Sequence, residues 1–276
     1  MKFAFILISL WVTTSTYCIS PIMPNYQNCK NKKEKKSQLF TDTLYSESFG
    51  ENRLLTIYLP KGFKKTKTYP VIYMADGQLL IQSYVKSIDS LMDKKLIPEI
   101  VIIGVNSNET FIPSMGLEYR NFEYLKNLHG GKDTLNLRFD KHFKFFTSEV
   151  IQYAEKSYSV SNKKEDRTFY GISNGADFGV TVAQDKPDLI GHFILCSIVQ
   201  GSKEPFAWTK ANCPSFFLAT GDQEDEMVQD EAKRLGKYLT QISMPYELVF
   251  YHGGHERKKW EAQFIAYLPK VYRKKS

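Results

Sequence analysis

Two hydrophobic periods alternate along the chain. Residues 69–76, "YPVIYMAD", and 99–106, "EIVIIGVN", are near-continuous apolar runs rich in β-branched side chains, the pattern of strands buried on both faces. Between them residues 78–95 carry apolar positions at helical spacing, and so do residues 142–160, "HFKFFTSEVIQYAEKSYSV". The series continues with a strand "RTFYGI", a helix from Asn174, strands "HFILCS" and "SFFLAT", a helix over "EMVQDEAKRLGKYLTQI", a strand "YELVFY" and a last helix "KKWEAQFIAYLPKVY". Such alternation predicts an α/β fold in which a mostly parallel central sheet carries helices on both faces. Ahead of it "TDTLYSES" and "NRLLTIYLP" flank the short turn "FGE", which predicts an antiparallel hairpin at the N-terminal edge of the sheet. No internal repeat and no second-domain boundary interrupts the pattern.

The N-terminal residues do not fit that alternation. "MKFAFILISLWVTTSTYCIS" offers one positive charge, an apolar run over residues 3–12 and then small and polar residues, as in a secretory signal peptide. Approximately residues 1–18 are therefore assigned to a signal peptide, cut after Ser15 or Cys18, and the expected location is exported, either periplasmic or secreted. The run is too short for a stable membrane span. Tyr17 disfavours a lipid on Cys18. Residues 19–37 are polar and lysine-rich and are expected to form a linker, with one domain over residues 38–276. Cys29, Cys196 and Cys213 remain after either cut, an odd number that permits at most one disulfide among the three, and without a CxxC pair structural zinc is not expected.

Composition narrows the class further. With 276 residues, 42% hydrophobic and 24% charged, the chain has the make-up of a globular domain, which excludes disorder and collagen-like repeats. The net charge of +7 is spread over clusters such as "KNKKEKK" and "KKTK", as on a solvated surface. It also suits attraction of an anionic substrate or an acidic envelope surface. No nucleic-acid recognition motif accompanies it.

The candidate chemistry lies in "RTFYGISNGADFG", where Ser173 stands between Gly171 and Gly175. A strand that ends at a glycine, a serine in a sharp turn and a helix just after it are the setting of a nucleophile elbow. A serine hydroxyl needs a histidine base and a carboxylate to orient that base. Five histidines occur, at positions 129, 142, 192, 252 and 255. The last two lie in "YHGGHERKKW", between the final strand and the final helix. His255 follows two glycines that allow an irregular loop and is the preferred base, whereas His252 sits at the strand end. The H-x-x-H spacing lacks the arrangement of a zinc protease, so no metal or organic cofactor is expected. His129, His142 and His192 read as structural. The loop "TGDQEDE" supplies Asp222, Glu224, Asp225 and Glu226, among which spacing does not choose, and some of which would solvate and cap the helix that follows.

Taken together, "YPVIYMADGQ", "VIIGVN" followed by "YRNFEY", "YGISNGADFG", "PDLIGHFILCS", "ATGDQE" and "GGHERKKW" resemble the Putative esterase family of α/β-hydrolases over about residues 38–272. That family includes enterochelin esterases, S-formylglutathione hydrolase, feruloyl esterases and mycolyltransferases. The resemblance implies an α/β-hydrolase fold and a triad of Ser173, His255 and Glu224, the acid standing three residues after the loop glycine, with Asp222 and Asp225 in reserve. It also implies an oxyanion hole from the backbone N–H of Asn174 and of Gly77 or Gln78. Arg120, Glu123 and Tyr124 match an R-x-x-E-Y segment of these enzymes. Arg120 then either braces a loop by an ion pair or binds a substrate group at the rim of the site.

The resulting expectation is an exported serine esterase that cleaves carboxylic esters through an acyl-enzyme. Its partner would be a small-molecule ester, anionic or aromatic, such as a siderophore trilactone or a carbohydrate-linked acyl ester. Acyl transfer to a sugar or lipid, and a non-catalytic binding protein of the same fold, are the alternatives. The long polar stretch over residues 106–141 is a candidate lid.

Overall fold

The computed structural model describes residues 36–126, 128, 134–200 and 206–273. The segment assigned to a signal peptide, most of the linker, Cys18, Cys29, His129 and the Gly130-Gly131 pair lie outside the described residues. The described residues form one compact unit.

Strands β1 (Gln38–Ser46) and β2 (Glu51–Leu59) pair antiparallel in full register from Gln38 opposite Leu59 to Ser46 opposite Glu51. Gly50, at φ 73, closes the turn between them, a conformation that glycine adopts without steric cost. This is the expected edge hairpin, with its first strand begun three residues earlier. The buried runs become β3 (Val71–Ala75) and β4 (Val101–Val105), separated by helix α1 (Gln82–Asp93). The expected helix over residues 78–95 is thus shorter. Asp76 adopts φ 55 and ψ 50, a tight helical turn covers Gly77–Leu79, and Ile81 is extended before α1 begins.

The stretch expected as a polar loop carries structure of its own: a small hairpin of β5 (Phe111–Ile112) and β6 (Leu117–Glu118), then α2 (Tyr119–Tyr124) and α3 (Leu137–Lys144). Helix α3 runs through a wide π-type turn over Phe145–Val150 into α4 (Ile151–Tyr158), so the helical region starts ahead of the residue 142 expected from the sequence. The remaining elements follow expectation: β7 (Arg167–Ile172), α5 (Asn174–Asp185), β8 (His192–Cys196), β9 (Ser215–Gly221), α6 (Glu226–Gln241), β10 (Tyr246–Tyr251) and α7 (Arg257–Val271).

The main sheet has the order β1-β2-β4-β3-β7-β8-β9-β10 and is parallel from β4 to β10. Along β3, Val71, Tyr73 and Ala75 enter one core while Ile72 and Met74 enter the other, the two-residue period of a strand covered twice. Helices α1 and α7 close the second core through Tyr84, Ile88, Phe264 and Leu268, and α2 to α6 close the first. All described parallel strands therefore point their C-terminal ends toward one edge, where ligands of such sheets bind. Among the described residues, no helix is long and apolar enough to cross a membrane, and Cys196 and Cys213 are free thiols.

The first core holds an aromatic cluster around Phe178, which meets Tyr124, Phe139, Phe146 and Phe169. His142 lies 4.9 Å from Phe178, ring centre to ring centre. It is fully buried and neither ring nitrogen has a hydrogen-bond partner. Beside it Glu123 is held by Arg53, with N–O distances of 3.0 and 2.7 Å, and by Arg138. Burial pushes the His142 pKa down to about 3, with Glu123 pulling up and Arg53 and Arg138 adding to the fall.

His142 therefore stays neutral in the fold while its unfolded counterpart takes up a proton near pH 6.5. The unfolded state binds more protons between those values, so His142 costs stability as pH falls from about 6.5 to about 3. Its contribution approaches about 1.4 kcal/mol per pH unit in that window. Replacement His142→Phe is expected to flatten this acid-side loss relative to the parent, as read from urea unfolding at pH 7, 5.5 and 4.5. A parallel loss in both proteins would contradict it.

Candidate active site

Strand β7 is buried along its whole length and ends at Ile172. Ser173 follows with φ 53 and ψ −129, a region costly for any residue with a Cβ. The turn is held from both sides. The Ser173 N–H donates to the Cys196 carbonyl at 2.9 Å, and the Ser173 carbonyl accepts from Ala176 N–H at 2.8 Å. The flanking glycines let strand and helix close on each other: a Cβ at Gly171 would lie 2.3 Å from the Gly175 carbonyl oxygen. Ser173 is thereby left partly exposed among buried neighbours, at the first turn of α5, whose leading N–H groups have no acceptor within the helix and carry partial positive charge.

His255 reaches this serine from the loop between β10 and α7. Its Nε2 is 3.0 Å from Ser173 Oγ, and its Nδ1 is 3.3 Å from Glu224 Oε2. A carboxylate at Nδ1 fixes the proton there and leaves Nε2 bare toward the serine. The loops meet because Gly221 and Gly253 are in contact: a Cβ at Gly221 would fall 2.2 Å from the Gly253 carbonyl oxygen. Gly253 itself, at φ 139, occupies backbone space that disfavours other residues.

The Glu224 side chain is 1% exposed, and its other oxygen, Oε1, accepts from Ser197 Oγ at 2.6 Å, Tyr251 OH at 2.7 Å and the Gly221 N–H at 3.1 Å. Burial raises its pKa, but the hydrogen bonds from His255, Ser197, Tyr251 and Gly221 outweigh burial and hold it below the usual carboxylate range. Trp260 completes the support. Its indole meets the His255 ring edge-on at 4.5 Å and 88°, and its Nε1–H donates to Ser197 Oγ at 2.7 Å.

The other acids of the loop stand apart from the relay. Asp222 pairs with His252 at 3.1 Å, and His252 is 82% exposed. Asp225 occupies the position before α6 and Glu226 lies in its first turn, where negative charge is favoured. Among the described residues, no group of three or more His, Cys, Asp or Glu side chains is arranged to hold a metal.

Gly77 and Gln78 open the short turn just beyond β3. No side chain would fit at Gly77, since a Cβ there would lie 2.3 Å from the Gly104 carbonyl carbon. The Gln78 side chain is turned away and tied to Ser107, with Nε2 donating to Ser107 Oγ at 2.6 Å and Oε1 accepting from Ser107 N–H at 3.1 Å. Asp76, the residue before the turn, is 1% exposed and grips Arg120 through both oxygens, at 2.6 and 2.7 Å. Its N–H donates to Tyr124 OH at 2.9 Å. A Cβ at Gly175 would stand 3.1 Å from Asp76 Oδ2, so the Asp76 turn and the Asn174–Gly175 turn are in direct contact.

Of the residues singled out from sequence, the structure brings Ser173, His255 and Glu224 into one chain of contacts, with Asn174 beside the serine. Gly77 and Gln78 lie on the turn that the Asp76–Gly175 contact joins to it. Arg120 lies in the bracing ion pair with Asp76. Glu123, its companion in the R-x-x-E-Y segment, faces the other way, toward Arg53 and Arg138. Sequence reasoning missed Asp76, Ser197, Tyr251 and Trp260. Asp76 and Ser197 have positive φ values of 55 and 57, a backbone state no local motif announces for these residue types.

The family model described as Putative esterase matches residues 46–228. Among curated proteins, "Uncharacterized protein YbbA" of Bacillus subtilis (strain 168) is 24% identical over 152 residues, covering 53% of this chain and 56% of that protein. The chain thus spans little more than half the length of this curated relative. A solved ferulic acid esterase superposes with TM-score 0.67 at 20% identity, over 87% of this chain and 99% of that one. An enterochelin esterase from Shigella flexneri gives 0.68 at 15% identity, over 85% of this chain and 58% of that one. The S-formylglutathione hydrolase of Staphylococcus aureus gives 0.63 at 15% identity, over 87% and 98%. At these identities the likeness is one of fold, an α/β-hydrolase fold.

Replacing Arg120 by methionine strands the buried Asp76 carboxylate, and loss of one partner of a buried pair costs about 3–5 kcal/mol. Urea unfolding is expected to show that loss. Arg120→Lys, which keeps the charge but not the two-pronged geometry, should recover only part of it. Equal stability of all three proteins would refute the clamp.

Proposed function

The chain belongs to the Putative esterase family, a family of serine hydrolases acting on ester bonds, and we propose on that footing that it hydrolyses small carboxylic esters through an acyl-serine intermediate. The observation that carries the reading is the relay itself, with His255 Nε2 at 3.0 Å from Ser173 Oγ and Nδ1 at 3.3 Å from Glu224.

In this reading His255 Nε2 takes the Ser173 proton as Oγ bonds to the ester carbonyl carbon, and the carbonyl π pair moves onto oxygen. Ionised Glu224 stabilises the imidazolium that forms. The oxyanion is met by the N–H of Asn174 and of Gly77 or Gln78, each such donor being worth about 3 kcal/mol in hydrolases of this mechanism. Collapse breaks the bond to the alcohol oxygen, which leaves with the proton held by His255. Water repeats the cycle on the acyl-serine, giving up a proton to His255, and release of the carboxylic acid restores Ser173.

The 45% exposure of the His255 side chain supports water as the acceptor, since transfer to a sugar or lipid requires a cleft that keeps water out. The N-terminal segment discussed above supports an exported location. The net charge of +7 supports esters with an anionic group, siderophore or carbohydrate-linked esters among them.

The test is turnover of p-nitrophenyl acetate by the parent protein, Ser173→Ala, His255→Ala and His252→Ala. The first two replacements are expected to lower kcat/KM by at least about a thousandfold, and His252→Ala by less than about threefold. If His252→Ala abolishes turnover and His255→Ala does not, the base is misassigned. A parent protein without Ser173-dependent turnover and without labelling by a fluorophosphonate would overturn the function.

A further inference from the structure

Next to the relay, a cavity of about 740 Å³ opens between α1 and α7. Its lining includes Gln78, Ile172 and Trp260, that is, the turn carrying the candidate oxyanion donors, the residue joined to Ser173, and the indole that packs on His255. Leu79, Tyr84 and Ile265 add apolar wall. Ile81, which lines the same space, is 54% exposed. Arg257 and Lys258 line it too, and a hydrogen bond of 3.0 Å from Ser83 to Glu261 ties the two helices together there.

Gln78 also borders a second cavity of about 540 Å³, lined mostly by polar residues such as Asn106, Ser107, Asn108 and Glu109, with Leu54 beside them. Gln78, one of the candidate oxyanion donors, is thus shared by two spaces whose lining residues differ in polarity. An ester whose carbonyl oxygen meets that turn would have both spaces near its two substituents.

We infer that the groove between α1 and α7 binds an apolar arm of the ester, so that this protein selects esters whose two arms differ in polarity. The inference rests on the hydrolytic reading of Ser173 and His255. Space of this size accommodates a medium-length or planar apolar group, and each methylene moved from water onto such walls is worth roughly fourfold in kcat/KM. Both the acid and the alcohol part of an ester are sources of such an arm. Ala262 and Ser87 face the groove from the two helices, and larger side chains at these positions would fill it.

The experiment compares kcat/KM for p-nitrophenyl octanoate with that for p-nitrophenyl acetate, and for octyl acetate with ethyl acetate, in the parent protein, Ala262→Phe and Ser87→Phe. Circular dichroism melting confirms that each variant folds. The parent is expected to prefer the longer member of one series by at least tenfold, and both variants to lower that ratio by at least tenfold. The series in which the ratio falls identifies the arm as acyl or alkoxy. If Ser173-dependent acetate turnover is intact and neither ratio moves in the folded variants, the groove is not an arm-binding site and the inference is overturned. If the parent shows no Ser173-dependent turnover at all, the hydrolytic reading fails first and the inference falls with it.

Discussion

One buried carboxylate holds the reactive edge of this molecule together. Glu224 is almost without solvent contact, yet it accepts hydrogen bonds from Ser197 after β8, Gly221 at the end of β9, Tyr251 at the end of β10 and His255 in the loop beyond. An unpaired charge at such a site would be severely penalised by lost hydration. The charge is tolerable only while three neighbouring strand ends stay in register and the His255 loop stays closed over them. Sheet geometry and site chemistry are in this sense the same constraint.

The same economy governs the other half of the site. The Asp76 carboxylate touches the first turn of α5, takes both prongs of Arg120 and sits one residue before the turn that presents Gly77 and Gln78. The turn after β3, helix α2 and the first turn of α5 are thereby fixed against each other. Fixed dipoles of this kind act on developing charge without reorganisation. The ion pair matters for where it sets the backbone more than for the energy of the contact itself.

Much of this was legible in the sequence, and for local reasons. The uninterrupted β-branched runs imply strands covered twice, the helical spacing between them implies crossovers, and Gly171 and Gly175 around Ser173 announce a turn that only small residues permit. His255 was readable because two glycines before it license an irregular loop at a strand end. Glu224 was not separable from Asp222 and Asp225 by spacing. Only the resemblance favoured it, and what distinguishes it physically is burial among Ser197, Tyr251 and Gly221, which are remote in the chain. The break between Gly77 and α1 was hidden for a similar reason, since the apolar spacing over residues 78–95 continues through it. The hairpin and helix over residues 111–124 were masked by polar composition, although Glu123 and Tyr124 there are buried by contacts with Arg53 and Asp76.

Three neighbouring strands, β3, β7 and β8, each end in a residue other than glycine at positive φ: Asp76 at 55, Ser173 at 53 and Ser197 at 57. Each such residue costs on the order of 1–3 kcal/mol of backbone strain, a sizeable share of the margin by which a domain stays folded. Glycine at Ser173 would relax the chain and delete the hydroxyl that faces His255, whereas at Asp76 and Ser197 it would also strip a partner from Arg120 and from buried Glu224. At Ser173 alone, stability and chemistry therefore pull in opposite directions, and a library selected only for heat resistance should drift toward a firmer and idle protein by way of that strand end.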